Sequence, residues 1–351
     1  MTSPEKGDLA ASFRRLIARN GPISLAHYMA EANARYYGTR DPLGRAGDFI
    51  TAPEISQMFG EMIGLWLADI WVRAGRPDPV LYVEPGPGRG TLARDVVRTL
   101  ARFGCAPLVH FVEGSAALRP IQHSIVPDAR WHHDLASIPN DAPMLLVANE
   151  FLDALPIRQL VKTAQGWRER MVGLEGDAFV AVAGTTPMDA AVPQDSAHAP
   201  GGTVLESCPA AAAIMGEVAR RLAAQGGAAL VIDYGHDAPR TGSTFQAVRA
   251  HGRADPFADP GDADLTAHVD FAALAHVARG KGARWLGTVP QGAWLQAMGI
   301  AARAQALASH APDQAGAIEA ALERLTGDAQ MGQLFKVMGL AAPGWPEGAG
   351  F

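Results

Sequence analysis

A ten-residue run with the sequence VEPGPGRGTL, which begins at Val83, constrains the fold of this chain more than any other stretch. Gly86, Gly88 and Gly90 alternate in it, directly after the apolar residues 81–83. The residues that follow are apolar at helical spacing, which predicts that the glycines lie on a turn from a buried strand into a helix. Glycine tolerates positive φ and lets a ligand approach the backbone, and the first N–H groups of a helix attract electronegative ligands. The run therefore predicts an α/β fold with a ligand site on this turn.

The acidic residue at the start of the turn helps to identify the ligand. A dinucleotide site expects G-x-G-x-x-G, whereas this turn reads E-x-G-x-G-x-G and begins with Glu84. A carboxylate there would repel a pyrophosphate but suits an ammonium group, which favours S-adenosylmethionine over NAD. Glu113 ends the next apolar run, 108–112, at the distance expected for a carboxylate that binds ribose hydroxyls. We expect Thr91 and Leu92, after the glycines, to belong to the same cofactor site.

The rest of the chain alternates apolar runs with helical patterns, as in a parallel sheet covered by helices on both faces. We predict an α/β fold with a seven-stranded sheet. The predicted strands are 80–83, 109–112, 129–132, 144–148, 228–232, 283–286 and 333–340.

Other segments are predicted to lie outside this sheet. Residues 9–37 are predicted as helices with a break at Gly21 and Pro22, and 55–72 as one long amphipathic helix. Residues 156–182 are predicted to form extra strands, and the Pro-, Gly- and Ala-rich stretch 177–202 is predicted to be loop-rich. The residues from Pro343 onward are predicted as a loose tail.

We expect two domains from this organisation. The first is an N-terminal helical lobe, residues 1–75, and the second is the sheet domain, residues 76–351. The sheet domain is expected to carry insertions near 156–205 and 290–330.

Composition narrows the class of protein. The hydrophobic fraction of 48% and the charged fraction of 19% are typical of a globular chain. The net charge of −6 argues against a nucleic-acid partner. Cys105 and Cys208 are too few for a disulfide framework, which favours a reducing compartment. We recognise no targeting sequence and no apolar run near the roughly 20 residues that span a bilayer, so we expect a cytoplasmic protein without stable membrane insertion.

Five motifs together resemble the MidA-like methyltransferase family, whose eukaryotic member is a mitochondrial complex I assembly factor that methylates an arginine of a core subunit. They are GDFITAPE from Gly47, the glycine turn, ANEFLDALP from Ala148, IDYG from Ile232 and LTAHVDF from Leu265. The resemblance implies a Rossmann-like class I methyltransferase fold with S-adenosyl-L-methionine as cofactor. It leaves the methyl acceptor open. The function that we favour is methylation of an arginine of a protein, such as a respiratory complex I subunit.

The resemblance places a lid over the cofactor in the first motif. Gly47, Asp48, Phe49 and Thr51 are expected to contribute to it. The sequence from Thr51 to Glu54 also has the pattern of a helix start, with proline near the first position and an acid in the first turn. Capping is therefore an alternative role for Glu54.

Acidic residues follow the predicted fourth and fifth strands, at the edge where open α/β sheets place ligands. We expect Asn149 to contact the cofactor, and Glu150 and Asp153 to bind a cationic acceptor, since a carboxylate matches the planar fork of arginine. Asp153 has helix capping as an alternative role. Asp233 and Tyr234 are candidates for the acceptor pocket, with a purely structural turn as the alternative.

Three further candidates follow from position in the fold. Asp134 stands where this fold commonly contacts adenine, and Leu135 offers an apolar contact beside it. His268 is a candidate proton acceptor, or a histidine bonded at a helix start. His132 and His133 are neighbours on a strand and point to opposite faces, so we predict no metal site.

Three other functions stay open from the sequence. A small-molecule methyltransferase would use the 156–202 segment as a private pocket. A non-catalytic assembly or interaction factor would retain the fold as a scaffold. A nicotinamide dehydrogenase is disfavoured by the glycine spacing.

Overall fold

A computed structural model describes residues 8–39, 51–249 and 252–351. The helices are α1 (Leu9–Asn20), α2 (Leu25–Thr39), α3 (Ala52–Ile55), α4 (Gln57–Arg73), α5 (Thr91–Ala101), α6 (Arg119–Ile125), α7 (Pro209–Gln225), α8 (Phe271–Gly280), α9 (Gln291–Ala297), α10 (Ile300–His310) and α11 (Ala315–Thr326). The strands are β1 (Ile23–Ser24), β2 (Leu81–Pro85), β3 (Leu108–Val112), β4 (Arg130–His132), β5 (Met144–Asn149), β6 (Arg158–Thr163), β7 (Gly166–Glu175), β8 (Ala178–Pro187), β9 (Val204–Ser207), β10 (Gly227–His236), β11 (Gln246–Arg249), β12 (Gly252–Ala254), β13 (Asp264–Thr266), β14 (Val269–Asp270), β15 (Arg284–Pro290) and β16 (Phe335–Ala341).

The chain forms two compact units. The sheet unit comprises Asp41–Asp153, Ala211–Ala238 and Val269–Phe351, and the lobe unit comprises Met1–Arg40, Ala154–Ala210 and Pro239–His268. This division differs from the predicted boundary at residue 75. The physical reason is pairing: β1 from the N-terminal segment pairs with β7 of the insertion, while α4 packs against α5 of the sheet unit.

The sheet unit contains the predicted seven-stranded sheet, in the order β15-β16-β10-β5-β2-β3-β4. Its five strands from β10 to β4 pair in parallel. Strand β16 runs antiparallel between β10 and β15, so the last two predicted strands form an antiparallel edge of the sheet. The short β14 pairs with the end of β10 as an eighth strand. The carboxyl ends of the parallel strands therefore share one edge of the sheet, termed the carboxyl edge.

Two glycines bring α4 close to α5, the helix that follows the glycine turn. A Cβ at Gly60 would lie 2.7 Å from the Cβ of Asp95, and a Cβ at Gly64 would lie 2.6 Å from that of Thr99. Real Cβ atoms do not approach so closely, so these positions require glycine at the present helix spacing. The contact positions the first turn of α5 relative to the core.

The lobe unit has its own small core. Strands β1, β7, β6 and β9 form an antiparallel sheet with β8 beside β7, and β11, β12 and β13 form a second. Phe13, Tyr28 and Phe179 pack as neighbouring rings at this core. Among the residues that the structure describes, no helix is long and apolar enough to cross a membrane.

The predicted helix 55–72 is confirmed as α4, Gln57–Arg73. It begins two residues later than predicted because Ser56 is extended and its side chain caps α4 by accepting a hydrogen bond from Met58 N–H. Two other local predictions need correction. The extra strands predicted within 156–182 are β6, β7 and the first half of β8. Strand β8 continues to residue 187, inside the stretch predicted as loop-rich, because it pairs with β7. The expected loose tail is packed: the indole N–H of Trp66 donates to the carbonyl of Ala349, and the Phe351 ring lies edge-on to Trp66.

Candidate functional site

The glycine turn has the conformation that its sequence requires. Gly86, Gly88 and Gly90 have φ values of 65°, 54° and 88°, in the left-handed region that other residues avoid. A Cβ at Gly86 would also lie 2.7 Å from the ring of Phe151. Gly90 directly precedes α5, so the turn leads the chain from β2 into the helix N-terminus as predicted. The backbone of the turn is therefore free of side chains at these three positions.

Glu84 lies on β2, just before the turn, and is buried with an exposed fraction of 3%. The hydroxyl of Tyr82 donates a hydrogen bond of 2.6 Å to its carboxylate. Burial raises the pKa of Glu84 to about 8, against which the Tyr82 bond acts. A bound cation would offset the cost of burying this charge, so the site favours a ligand with a positively charged group.

Glu113 follows β3 at the same edge and is also buried. Its Oε1 accepts a bond of 2.6 Å from the N–H of Ser115, and its Oε2 accepts one of 2.9 Å from the side chain of Gln122. Sequence reasoning missed Gln122. No signal in the sequence marked it, because α6 has the sequence RPIQHSI, in which polar residues are as common as apolar ones.

Asp134 follows β4 and begins a short helical turn. Its carboxylate accepts a bond of 2.8 Å from the N–H of Ser137, and the bonds to Ser137 lower the pKa of Asp134. The neighbouring Leu135 is buried, and its carbonyl accepts a bond of 2.7 Å from Arg221 of α7. Arg221 was not predicted, because only tertiary structure brings α7 to this turn.

Glu150 directly follows β5 and adopts a rare backbone conformation. Its φ of 49° lies in the left-handed region, which is uncommon for a residue with a side chain and is often found at functional sites. The carboxylate accepts a bond of 3.0 Å from the N–H of Ala52 and one of 3.2 Å from the side chain of Asn149. Asn149 thus orients Glu150, and its predicted cofactor contact stays a prediction.

Asp233 holds the chain that follows Glu150. One carboxylate oxygen accepts bonds of 3.0–3.2 Å from three consecutive N–H groups, those of Phe151, Leu152 and Asp153. The other accepts a bond of 2.9 Å from Tyr234 N–H. Asp233 is fully buried, so its carboxylate supports the backbone of this loop.

Three carboxyl groups therefore interact at the ends of β5 and β10. Burial raises the pKa of Glu150 to about 7, and the charge of Asp153 adds to the rise. Burial also raises the pKa of Asp233 well above its usual value, and the charges of Asp153 and Glu150 contribute. The bonds from backbone N–H groups oppose both shifts. Such a cluster favours a cationic group beside Glu150.

The short helix α3 links Glu150 to the glycine turn. Its first N–H, from Ala52, binds Glu150, and its Glu54 accepts a bond of 2.6 Å from the hydroxyl of Thr91 at the start of α5. Thr51 occupies the position before α3 without a side-chain capping bond. Glu54 therefore has a tertiary contact in addition to its place in the first turn of α3.

The remaining predicted residues have varied surroundings. Leu92 is buried in the core of the sheet unit, and the Tyr234 ring lies edge-on to Phe335 at 5.5 Å. His268 belongs to the lobe unit, where its backbone N–H donates a hydrogen bond of 2.9 Å to the hydroxyl of Thr244. The predicted lid residues Gly47, Asp48 and Phe49 lie outside the described residues.

The histidines of the sheet form a pair. His110 Nδ1 and His132 Nε2 lie 2.8 Å apart, and burial lowers the pKa of His110 to about 4. In the part of the chain that the structure describes, no group of three or more His, Cys, Asp or Glu side chains could hold a metal ion.

Comparisons with known proteins agree with this arrangement. Residues 62–289 match a family of S-adenosyl-L-methionine-dependent methyltransferases. The chain is 37% identical over 376 residues to the mitochondrial protein arginine methyltransferase NDUFAF7 homolog of Drosophila melanogaster, covering 95% of this chain and 85% of that protein. It is 37% identical over 364 residues to the mitochondrial protein arginine methyltransferase NDUFAF7 of Homo sapiens, covering 92% and 81%.

A solved structure shows the same fold. The crystal structure of a Burkholderia thailandensis protein bound to S-adenosylhomocysteine is similar to this chain with a TM-score of 0.81, at 28% identity. The similarity covers 97% of this chain and 95% of that chain.

Proposed function

The chain belongs to the family of S-adenosyl-L-methionine-dependent methyltransferases, and on this basis we propose that it methylates an arginine side chain of a protein. A subunit of respiratory complex I is the proposed acceptor protein, because the sequence motifs resemble those of the complex I assembly factor. The two named relatives are both protein arginine methyltransferases.

The residues at the carboxyl edge fit the cofactor of this family. The buried carboxylate of Glu84 suits the ammonium of the methionine part, and Glu113 suits the ribose hydroxyls. The glycines of the turn leave its backbone open to close approach. When bound, S-adenosylmethionine supplies an electrophilic methyl group.

The main support for an arginine acceptor is the cluster of carboxyl groups formed by Glu150, Asp153 and Asp233. Burial and the charge of Asp153 raise the cost of ionising Glu150 and Asp233, and a bound guanidinium would lower that cost. The Ala52 N–H and the Asn149 side chain fix the direction of Glu150. A carboxylate held in this way can bind two nitrogens of the guanidinium and orient the third, which is the positioning that methyl transfer needs.

The experiment uses the purified protein with S-adenosylmethionine that carries a labelled methyl group. Isolated complex I subunits and a panel of metabolites are offered as separate acceptors, and mass spectrometry locates the label. We expect label on an arginine of a protein. A Glu150→Gln variant should lose the transfer while it still binds cofactor, and Glu319→Gln, at an exposed position, serves as the control.

Each other outcome supports a different function. Label found only on metabolites would contradict the protein acceptor and favour a small-molecule methyltransferase. A cellular role that survives Glu150→Gln unchanged would favour a non-catalytic assembly factor. The cytoplasmic location stays a prediction, and both named relatives are mitochondrial; fractionation of the source cells would test it.

A further inference from the structure

Gln122 connects two parts of the cofactor site that lie on different elements. Its Nε2 donates a bond of 2.9 Å to Oε2 of Glu113, which follows β3, and one of 2.7 Å to the carbonyl of Gly88 in the turn after β2. Gln122 itself lies on α6 and is fully buried. One amide group therefore fixes the spacing between the acidic residue and the glycine turn.

Trp131 determines the orientation of this amide. Its indole N–H donates a bond of 2.7 Å to Oε1 of Gln122. An indole nitrogen can only donate, so the amide oxygen must face Trp131. Both amide hydrogens are then directed at Glu113 and Gly88. The reverse orientation would place an NH₂ group against the indole N–H and an oxygen against two acceptors.

We propose that Gln122 is a positioning residue for the cofactor ribose. An ionised carboxylate has about four lone-pair directions. Gln122 uses one on Oε2 of Glu113 and the Ser115 N–H uses one on Oε1, which leaves one on each oxygen for a ribose diol. Gln122 also holds the Gly88 peptide, so the turn and the ribose carboxylate keep one relative position. This role of Gln122 involves the cofactor alone and does not depend on the acceptor proposed above.

Calorimetric titration without any acceptor tests this role. The probes are S-adenosylhomocysteine and its analogue with a deoxyribose that lacks the 2′-hydroxyl. The wild type should bind the analogue more weakly. Gln122→Leu should lower the affinity for S-adenosylhomocysteine about tenfold or more, which is the usual effect of losing a hydrogen bond to a charged group. Its affinity for the analogue should change much less, so the discrimination between the two ligands should shrink.

The loss of discrimination separates positioning from a general structural defect, which would weaken both ligands equally. Gln291→Leu is the matched control, because Gln291 is equally buried and bonds to the Leu325 carbonyl at 2.9 Å. It should leave the discrimination unchanged. Trp131→Phe keeps Gln122 but removes the group that orients its amide, so it should also reduce the discrimination between the two ligands. If Gln122→Leu does not fold, Trp131→Phe alone tests the role of Gln122. Full discrimination in a folded Gln122→Leu, or in Trp131→Phe, would overturn the proposal.

Discussion

The backbone N–H of Ala52 donates a hydrogen bond to the carboxylate of Glu150, although 98 positions separate the two residues in the sequence. Ala52→Pro would remove this donor, since proline has no N–H. The extended Thr51 before it is compatible with a proline. We expect the rate of methyl transfer to fall roughly tenfold, because a hydrogen bond to a charged group contributes about 1.5–3 kcal/mol. Steady-state kinetics at saturating cofactor measures this, and Ala52→Gly, which keeps the N–H, is the control. Equal rates for the two variants would contradict the prediction.

The raised pKa of Glu150 predicts a pH dependence. If the ionised form binds the acceptor, kcat/KM should rise as the pH passes about 7 and then level off, because kcat/KM reports groups of the free enzyme. Asp153→Asn removes a negative charge that raises this pKa, so the rise should move to lower pH. A profile recorded for both proteins checks the direction. A rise close to the ordinary glutamate value, or one that Asp153→Asn leaves in place, would argue against Glu150 as the acceptor-binding group.

Glu84 should make the cofactor-free protein less stable as the pH rises. Its folded pKa of about 8 lies above the value of 4.5 for an ordinary glutamate, so the folded state binds the proton more tightly than the unfolded state. The resulting contribution to the free energy of unfolding is fully present below pH 4.5 and is lost as the pH rises through about 8. Glu84→Gln should therefore raise the free energy of unfolding by a few kcal/mol at alkaline pH and abolish cofactor binding.

Urea unfolding at acid and alkaline pH, followed by calorimetric titration with S-adenosylmethionine, measures both effects of Glu84→Gln. The two proteins should have similar stability at acid pH, where the wild-type carboxyl is protonated in both states. A variant that binds cofactor as tightly as the wild type would remove Glu84 from the cofactor site.

The effect of a side chain at Gly86 can be compared with that at Gly104, which also has a positive φ but has open surroundings. Gly86→Ala places a Cβ 2.7 Å from the Phe151 ring, whereas Gly104, with a φ of 81°, has nothing within 4 Å of such a Cβ. Gly104→Ala should cost about 1 kcal/mol from backbone strain alone. Gly86→Ala should cost more and should also weaken cofactor binding. Thermal unfolding and titration of both variants give the comparison, and equal costs would mean that Phe151 moves aside freely.

Asp233→Asn tests whether the Asp233 carboxylate supports the loop after Glu150. An amide has one acceptor oxygen, so its NH₂ group would face backbone N–H groups in either orientation. We expect a loss of about 1–3 kcal/mol in the free energy of unfolding. Urea unfolding measures it, with the exposed Asp313→Asn as control, for which about 0.5 kcal/mol or less is expected. An unchanged stability would indicate that Asp233 is protonated in the folded state.

The sheet and the glycine turn could be predicted because their determinants are local. A buried parallel strand is a continuous apolar run, and the positive φ of Gly86, Gly88 and Gly90 needs glycine at each position. The acidic residues at the strand ends followed from the general rule for open α/β sheets. The second half of β8 was missed because its pairing with β7, rather than its composition, makes it a strand.

The supporting residues of the site could not be predicted in the same way. Gln122, Ala52 and Arg221 act through contacts with residues far away in the sequence, and none of them has a residue type that indicates a role. Asp233 was predicted as a pocket residue, and its four bonds to backbone N–H groups became visible only when β10 was placed beside β5. Acidic site residues at strand ends can be predicted from sequence. The residues that hold them in place are set by the packing of elements that are distant in the sequence.

The close packing of α4 on α5 has an evolutionary consequence. A side chain at Gly60 would collide with the Cβ of Asp95, an atom that every residue except glycine carries, so another side chain at position 95 does not relieve the collision. We therefore expect glycine to persist at position 60 among relatives that keep this helix spacing. Because the glycine turn leads directly into α5, we expect selection for cofactor binding to act also on Gly60, which lies on α4 outside the site.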